Sequence, residues 1–181
     1  MSLEEWASLP EDEPGELVDG QLVEEEMSDF DHEGVVSWLI IALGPWILAR
    51  GGFIFGSEGK FALRTGLGRK PDISVFFPGG AVPPRRGPGR APPDLLVEVI
   101  SSTARDARRD RIEKAAEYAA FGVRFYWLVD PDDRTFEIFE REAAGRYLRI
   151  LGVSEGTIDV PGCEGLRLDL NAMWAKIDRL A

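Results

Sequence analysis

The chain has one cysteine, Cys163, and one histidine, His32, in 181 residues. An internal disulfide is therefore excluded, and so is a zinc site built from several Cys and His ligands. Cys163 follows Pro161-Gly162 and reads as a small turn residue. No uninterrupted apolar stretch approaches the roughly 20 residues of a membrane span. The longest candidate, residues 35–48, is broken by Ser37, Gly44 and Pro45. The opening MSLEEWASLPEDEPGE has neither the basic n-region nor the apolar core of a secretory signal, so a cytoplasmic location is expected. Positive charge is also scarce: 21 Lys and Arg against 32 Asp and Glu leave a formal net charge of −11. Tight nucleic-acid binders carry a basic footprint. Any contact with a polyanion here has to come from local patches or a bridging cation.

Hydrophobic residues make up 44% and charged residues 29%, the balance of a globular chain rather than a disordered one. The length suits a single domain over residues 1–181. Ser2, with Glu5 three positions on, predicts a capped short helix over 3–8. Asp19-Gly20 between two short apolar stretches predicts a hairpin. His32, Val35, Val36, Leu39, Ile40, Leu43, Trp46 and Ile47 recur at helical spacing and predict a helix over 31–49, closed by Gly51-Gly52. Strand patterns follow over 53–63, 73–77 and 94–100, with a turn read at Gly66-Leu67-Gly68. The Pro- and Gly-rich stretch 79–93 is a loop. A helix is expected over 103–121, strands over 125–129, 135–141 and 147–151, and a closing helix over 170–180. This order predicts an α/β chain with a mixed sheet flanked by helices. The helix between strands 94–100 and 125–129 suits a right-handed crossover, which would make those strands parallel.

Two carboxylates carry the clearest chemistry. Asp72, after Pro71, stands at the mouth of an apolar strand, and Glu98 lies inside Leu95-Leu-Val-Glu-Val-Ile100. A carboxylate among such neighbours is costly unless paired, hydrogen-bonded or metal-bound. If the two strands are antiparallel neighbours, Asp72 and Glu98 meet at one end, where they would suit Mg²⁺ or Mn²⁺. Taken singly, Asp72 could merely cap a turn and Glu98 could be exposed on an edge strand. Asp110, Lys114 and Tyr118 lie four apart on one stripe of the predicted helix. Ile112, Ala115, Ala116 and Ala119 form a more apolar stripe. If that second stripe alone is buried, Lys114 faces solvent as half of an ordinary Asp110–Lys114 surface pair. Tyr118 reads as packing. Glu16, beside the hairpin, is either a third carboxylate or, the favoured reading, an exposed acid. His32, on the apolar stripe of its helix, reads as a partly buried, hydrogen-bonded residue. Arg85, Arg86 and Arg90 form the clearest basic patch and read as a solvated loop or a contact to another subunit.

Pro71-Asp72, Glu98-Val-Ile, the helix bearing Asp110-Arg-Ile-Glu-Lys114 and Tyr118, then Gly122-Val and Tyr126-Trp-Leu-Val-Asp130-Pro together resemble the Uma family of restriction endonucleases. That family belongs to the PD-(D/E)XK nuclease superfamily. Glu16-Leu-Val-Asp-Gly20 and the helix near His32 are similar to its N-terminal part. The resemblance implies a restriction-endonuclease-like fold and a Mg²⁺- or Mn²⁺-dependent hydrolase of phosphodiester bonds, acting on nucleic acid, DNA first. It also implies Asp72 and Glu98 as metal ligands. The superfamily pattern places a lysine two residues after the glutamate, where this chain has Ile100; Lys114, on the following helix, takes that role in the resemblance. Glu16, His32 and Asp110 are the further candidates. The rival readings are a nuclease-fold module that binds or assembles without catalysis, and a hydrolase of small phosphorylated molecules. Tryptophan and phenylalanine near the termini suggest a homodimer that covers them.

Overall fold

The computed structural model describes residues 1–10, 15–24, 29–101 and 109–180, with side chains described from 111 onward in the last stretch. The expected helix start at Thr103 and the side chain of Asp110 lie outside the described residues.

Helix α1 (Leu3–Ala7) opens with the predicted capping box: Ser2 Oγ accepts from the Glu5 amide, and the Glu5 carboxylate accepts from the Ser2 amide. Strands β1 (Glu16–Val18) and β2 (Gln21–Val23) form the hairpin. Asp19 and Gly20 both have positive φ, 48° and 78°, which is what a tight primed turn requires. Helix α2 (Phe30–Leu48) is capped by Asp29, whose carboxylate accepts from the His32 amide. The helix runs through Gly44 and Pro45. Strands β3 (Phe53–Phe55), β4 (Phe61–Arg64), β5 (Leu67–Arg69), β6 (Ile73–Phe76) and β7 (Leu95–Val99) follow. Next comes a π-helical stretch, Arg109–Lys114, continued by helix α3 (Ala115–Phe121). Then come β8 (Phe125–Asp130), β9 (Thr135–Arg141), β10 (Tyr147–Val153), β11 (Thr157–Asp159), β12 (Arg167–Asp169) and α4 (Leu170–Ile177).

A central sheet has the order β10-β9-β8-β7-β6-β3, with β7 and β8 parallel and the other pairs antiparallel. Both the mixed character and the parallel crossover pair match the sequence reading. Alternation along β7 sorts its side chains between two cores. Leu95, Val97 and Val99 face α2 and α4, while Leu96 and Ile100 face α3 with Tyr118, Val123, Tyr126 and Leu128. Glu98 is in phase with Leu96 and Ile100, so it points toward α3.

A second sheet, β2-β1-β5-β4, stands on the α3 side, where Leu63 packs against the second core. Here the structure corrects the sequence reading. Only Thr65-Gly66 turns; Leu67–Arg69 is a fully buried strand between β1 and β4. Gly68 is needed because the Trp6 ring lies on it: a Cβ there would come within 2.4 Å of the indole. Trp6 and Trp174 are therefore covered within their own chain, which removes the tryptophan argument for a dimer. The ribbon β11-β12 is absent from the sequence reading, and α4 ends at Ile177 rather than Leu180. Cys163 is buried, and burial pushes its thiol up to about 12. Among the described residues no helix is long and apolar enough to cross a membrane.

Candidate active site

Asp72 immediately precedes β6, and Glu98 lies near the end of β7. The register pairs Ile73 with Val97, and one further step along the ladder sets Asp72 across from Glu98. Asp72 is fixed from two sides: Oδ2 accepts from the Val99 amide at 2.7 Å and meets His32 Nε2 at 3.2 Å. His32 is buried at the start of α2. Burial favours its neutral form, but the hydrogen bond to Asp72 and the charge of Asp72 outweigh that, and its pKa is raised. Its Nδ1 is buried with no hydrogen-bond partner among the described residues.

Glu98 is 2% exposed and is held by α3. Lys114 Nζ lies 3.0 Å from its Oε2, and the Tyr118 hydroxyl donates to its Oε1 at 2.6 Å. Lys114 is itself 2% exposed. The solvent-facing alternative for Lys114 is thus overturned, and with it the condition it needed, that the Ile112 stripe alone is buried: Ile112 is 61% exposed. Residues two positions apart on a helix stand on nearly opposite faces, so the face that buries Lys114 turns Ile112 outward. Tyr118 packs in the second core, as expected, but its hydroxyl also serves Glu98. Burial first, then the neighbouring Glu98 charge, drives its pKa well up, so the hydroxyl stays a donor.

Glu16 is buried at 1%, not an exposed turn acid. Its carboxylate takes Arg69 Nη1 at 2.6 Å and the Lys70 amide at 2.9 Å, and it lies 3.6 Å from Lys114 Nζ. Burial pushes its pKa up, but Lys114, Arg69 and the Lys70 amide together hold it below its ordinary value. Arg69, also buried, grips Glu117 through Nε and Nη2 at 2.8 and 3.0 Å. Sequence reasoning missed Arg69 and Glu117. A signal for Glu117 existed, since 114, 117 and 118 share one face of a regular helix. Arg69 had none, because its strand was read as a turn.

The structure thus links Glu98, Lys114, Tyr118 and Glu16 in one buried network, with Asp72 and His32 at the adjoining strand end. Ile100, where the superfamily pattern has lysine, packs in the second core. Arg90 pairs with Glu4, and Arg85 and Arg86 stand apart from this network. Among the described residues no three His, Cys, Asp or Glu side chains converge to hold a metal.

A family model described as "Uma2: Putative restriction endonuclease" matches residues 2–171. The chain belongs to the Uma2 family. Among solved structures it is similar to one titled as a putative nuclease belonging to DUF820 from Anabaena variabilis. The TM-score is 0.74 at 20% identity, covering 98% of this chain and 99% of that one. At that identity the likeness speaks for the fold, a nuclease fold with a mixed central sheet. No curated protein matches.

Proposed function

We propose that the chain is a divalent-metal-dependent endonuclease acting on DNA, with Asp72 and Glu98 as metal ligands. The observation that carries this reading is the convergence of Lys114 on Glu98: a lysine delivered by a helix reaches the strand glutamate at 3.0 Å, although Ile100 occupies the usual lysine position. Burying a lysine costs several kcal/mol unless it is paired, so its location calls for a reason. The donor set fits Mg²⁺ or Mn²⁺ in chemistry, since both candidate ligands are carboxylates and these ions prefer oxygen. The charges fit too. Glu16, Glu98 and Glu117 face Lys114 and Arg69, three carboxylates against two cations, which leaves room for added positive charge.

A divalent ion held by Asp72 and Glu98 would supply charge to a phosphate oxygen and acidify a water. The chain's own groups set up that chemistry. The Val99 amide and His32 orient Asp72. Tyr118 fixes one oxygen of Glu98. Lys114, shared between Glu98 and Glu16, is a buried ammonium placed to orient a water or to meet charge developing on the phosphate.

The test is cleavage of plasmid DNA with Mn²⁺, with Mg²⁺ and with EDTA. Cutting is expected with either metal and absent with EDTA. Glu98→Gln should keep the fold and lower cleavage at least about a hundredfold. A folded Glu98→Gln protein that cuts at the parent rate would sink the mechanism. One observation favours a second reading, a nuclease-fold module without catalysis: protein groups already engage both oxygens of Glu98 and of Glu16. A parent protein that stays folded but never nicks plasmid with either metal would support that module.

A further inference from the structure

A cavity of about 480 Å³ lies on the same face of β6 as Asp72, beyond the residues of the proposed metal site. Ser74 and Phe76 line it, and Ser74 is only two residues, roughly 7 Å of strand, from Asp72. Across the ladder Ser74 pairs with Phe55 of the edge strand β3. Phe55 is 42% exposed and meets Phe76 edge-on at 6.1 Å; Phe61 stacks on Phe76 from the other side at 6.3 Å. The cavity thus has an aromatic wall with one ring open to solvent.

Loop 79–93 supplies positive charge. It does not simply trail in solvent: Gly89 is bridged to β4, donating to Lys60 O at 2.8 Å and accepting from the Ala62 amide at 2.9 Å. A side chain at Gly89 would strike the Phe61 ring at 2.9 Å, so the glycine lets the loop lie on the aromatic wall. This anchoring holds Arg85 and Arg86 at the cavity, and neither has an acidic partner among the described residues. Lys70 also lines it, with Glu58 at 3.1 Å. Ser74 lines the same space, and its Oγ is buried with no hydrogen-bond partner among the described residues. A buried hydroxyl without a partner is costly, and a ligand's polar edge would satisfy it.

We propose that this cavity receives an unpaired nucleotide of the nucleic-acid strand bound at Asp72 and Glu98, and that the protein therefore prefers single-stranded or locally unpaired substrate. The base stacks on Phe55, its polar edge meets Ser74 Oγ, and Arg85, Arg86 and Lys70 hold the flanking phosphates. Stacking on an exposed ring beside cations is how strands are held without sequence readout. A duplex keeps its bases stacked on one another and would have to unstack one to fill the cavity. The volume lies within the usual range for small-ligand pockets. The local charge also answers the overall −11, which repels polyanions elsewhere. The proposal rests on the nuclease reading for the strand's place at Asp72 and Glu98.

The test is fluorescence anisotropy in EDTA, where cleavage plays no part. The probes are a labelled single-stranded oligodeoxynucleotide and the duplex of the same sequence. The strand should bind more tightly than the duplex. Phe55→Ala should weaken strand binding about tenfold and leave duplex binding alone. Ser74→Ala, nearly isosteric, should weaken it in the same selective way. Arg85→Ala with Arg86→Ala should weaken strand binding and lower its salt slope by about 1.4, the share of two phosphates. Thermal melting of each variant reports the fold. Equal affinity for both probes, or strand binding indifferent to Phe55→Ala and Ser74→Ala in folded variants, overturns the pocket. Plasmid cutting with Mn²⁺ alongside that result leaves the nuclease reading standing. Selective strand binding without any metal-dependent cutting keeps the pocket and removes the nuclease.

Discussion

Glu16 stays ionised in the interior because Arg69, Lys114 and the Lys70 amide surround it. Its folded pKa lies below the ordinary 4.5. The stability it contributes is therefore present above 4.5 and lost as pH falls through the lowered folded value. Glu16→Gln should be less stable than the parent at neutral pH, and the gap should narrow as the pH drops below 4.5. Urea midpoints across an acid series check this; a gap constant with pH would mean that Glu16 is not held as an anion. Lys114 belongs to the same network. Lys114→Met keeps the stem but leaves Glu98 and Glu16 without their shared cation, and should cost about 3–5 kcal/mol in urea denaturation. A near-neutral result would show that the two carboxylates do not depend on it. At this scale, Glu98 stood out because apolar neighbours flank it, and Asp72 because it opens an apolar strand. The burial of Glu16 was not, because its partner Arg69 is 53 residues away.

Helical phase held where the helix is regular. Arg109–Lys114 is π-helical, and the 3.6-residue spacing holds only from Lys114 through α3. Within that part, Lys114 and Tyr118 reach the sheet together, as their spacing of four requires. Element docking at the other end depends on one glycine. α1 places Trp6 on β5 at Gly68, and the indole N–H donates to Gly15 O at 3.1 Å. Gly68→Ala would force the ring away, and overpacking of this kind costs about 1–3 kcal/mol. The thermal midpoint should fall, and amides of α1 should exchange faster with solvent. An unchanged midpoint would show that the N-terminal helix contributes little to β5. Because β5 carries Arg69, the same variant should also loosen the Glu16 network.

For the molecule as a whole, a metal site appears as linkage. An ion that binds only the folded chain stabilises it by about 2.7 kcal/mol at a hundredfold excess over Kd. For a chain of this size that corresponds to a rise of roughly 5–10 °C in Tm. Mn²⁺ should produce such a rise in the parent, and Asp72→Asn should abolish it while keeping the fold. A parent melting curve indifferent to millimolar Mn²⁺ would count heavily against the site. The charge of −11 makes non-specific cation attraction a concern, which is why the Asp72→Asn control decides the matter rather than the rise alone.

Local pattern was enough for the α2 stripe, the Asp19-Gly20 hairpin and the apolar strands on either side of loop 79–93. Side-chain period, turn chemistry and capping all act within a few residues, so a linear reading reaches them. The facing of Asp72 and Glu98 needed one added assumption, that their strands are antiparallel neighbours, and the register supports it. What only tertiary structure decided is the company these carboxylates keep. Arg69, Glu16, Lys114 and Glu117 each look like surface residues in a local window. Arg69, Glu16 and Lys114 are buried, and Glu117 half-buried, because β1, β5 and α3 bring opposite charges together, and only that pairing makes their removal from water tolerable. Loop 79–93 shows the same limit: its prolines and glycines announce a loop, but the bridge at Gly89 decides where its arginines stand.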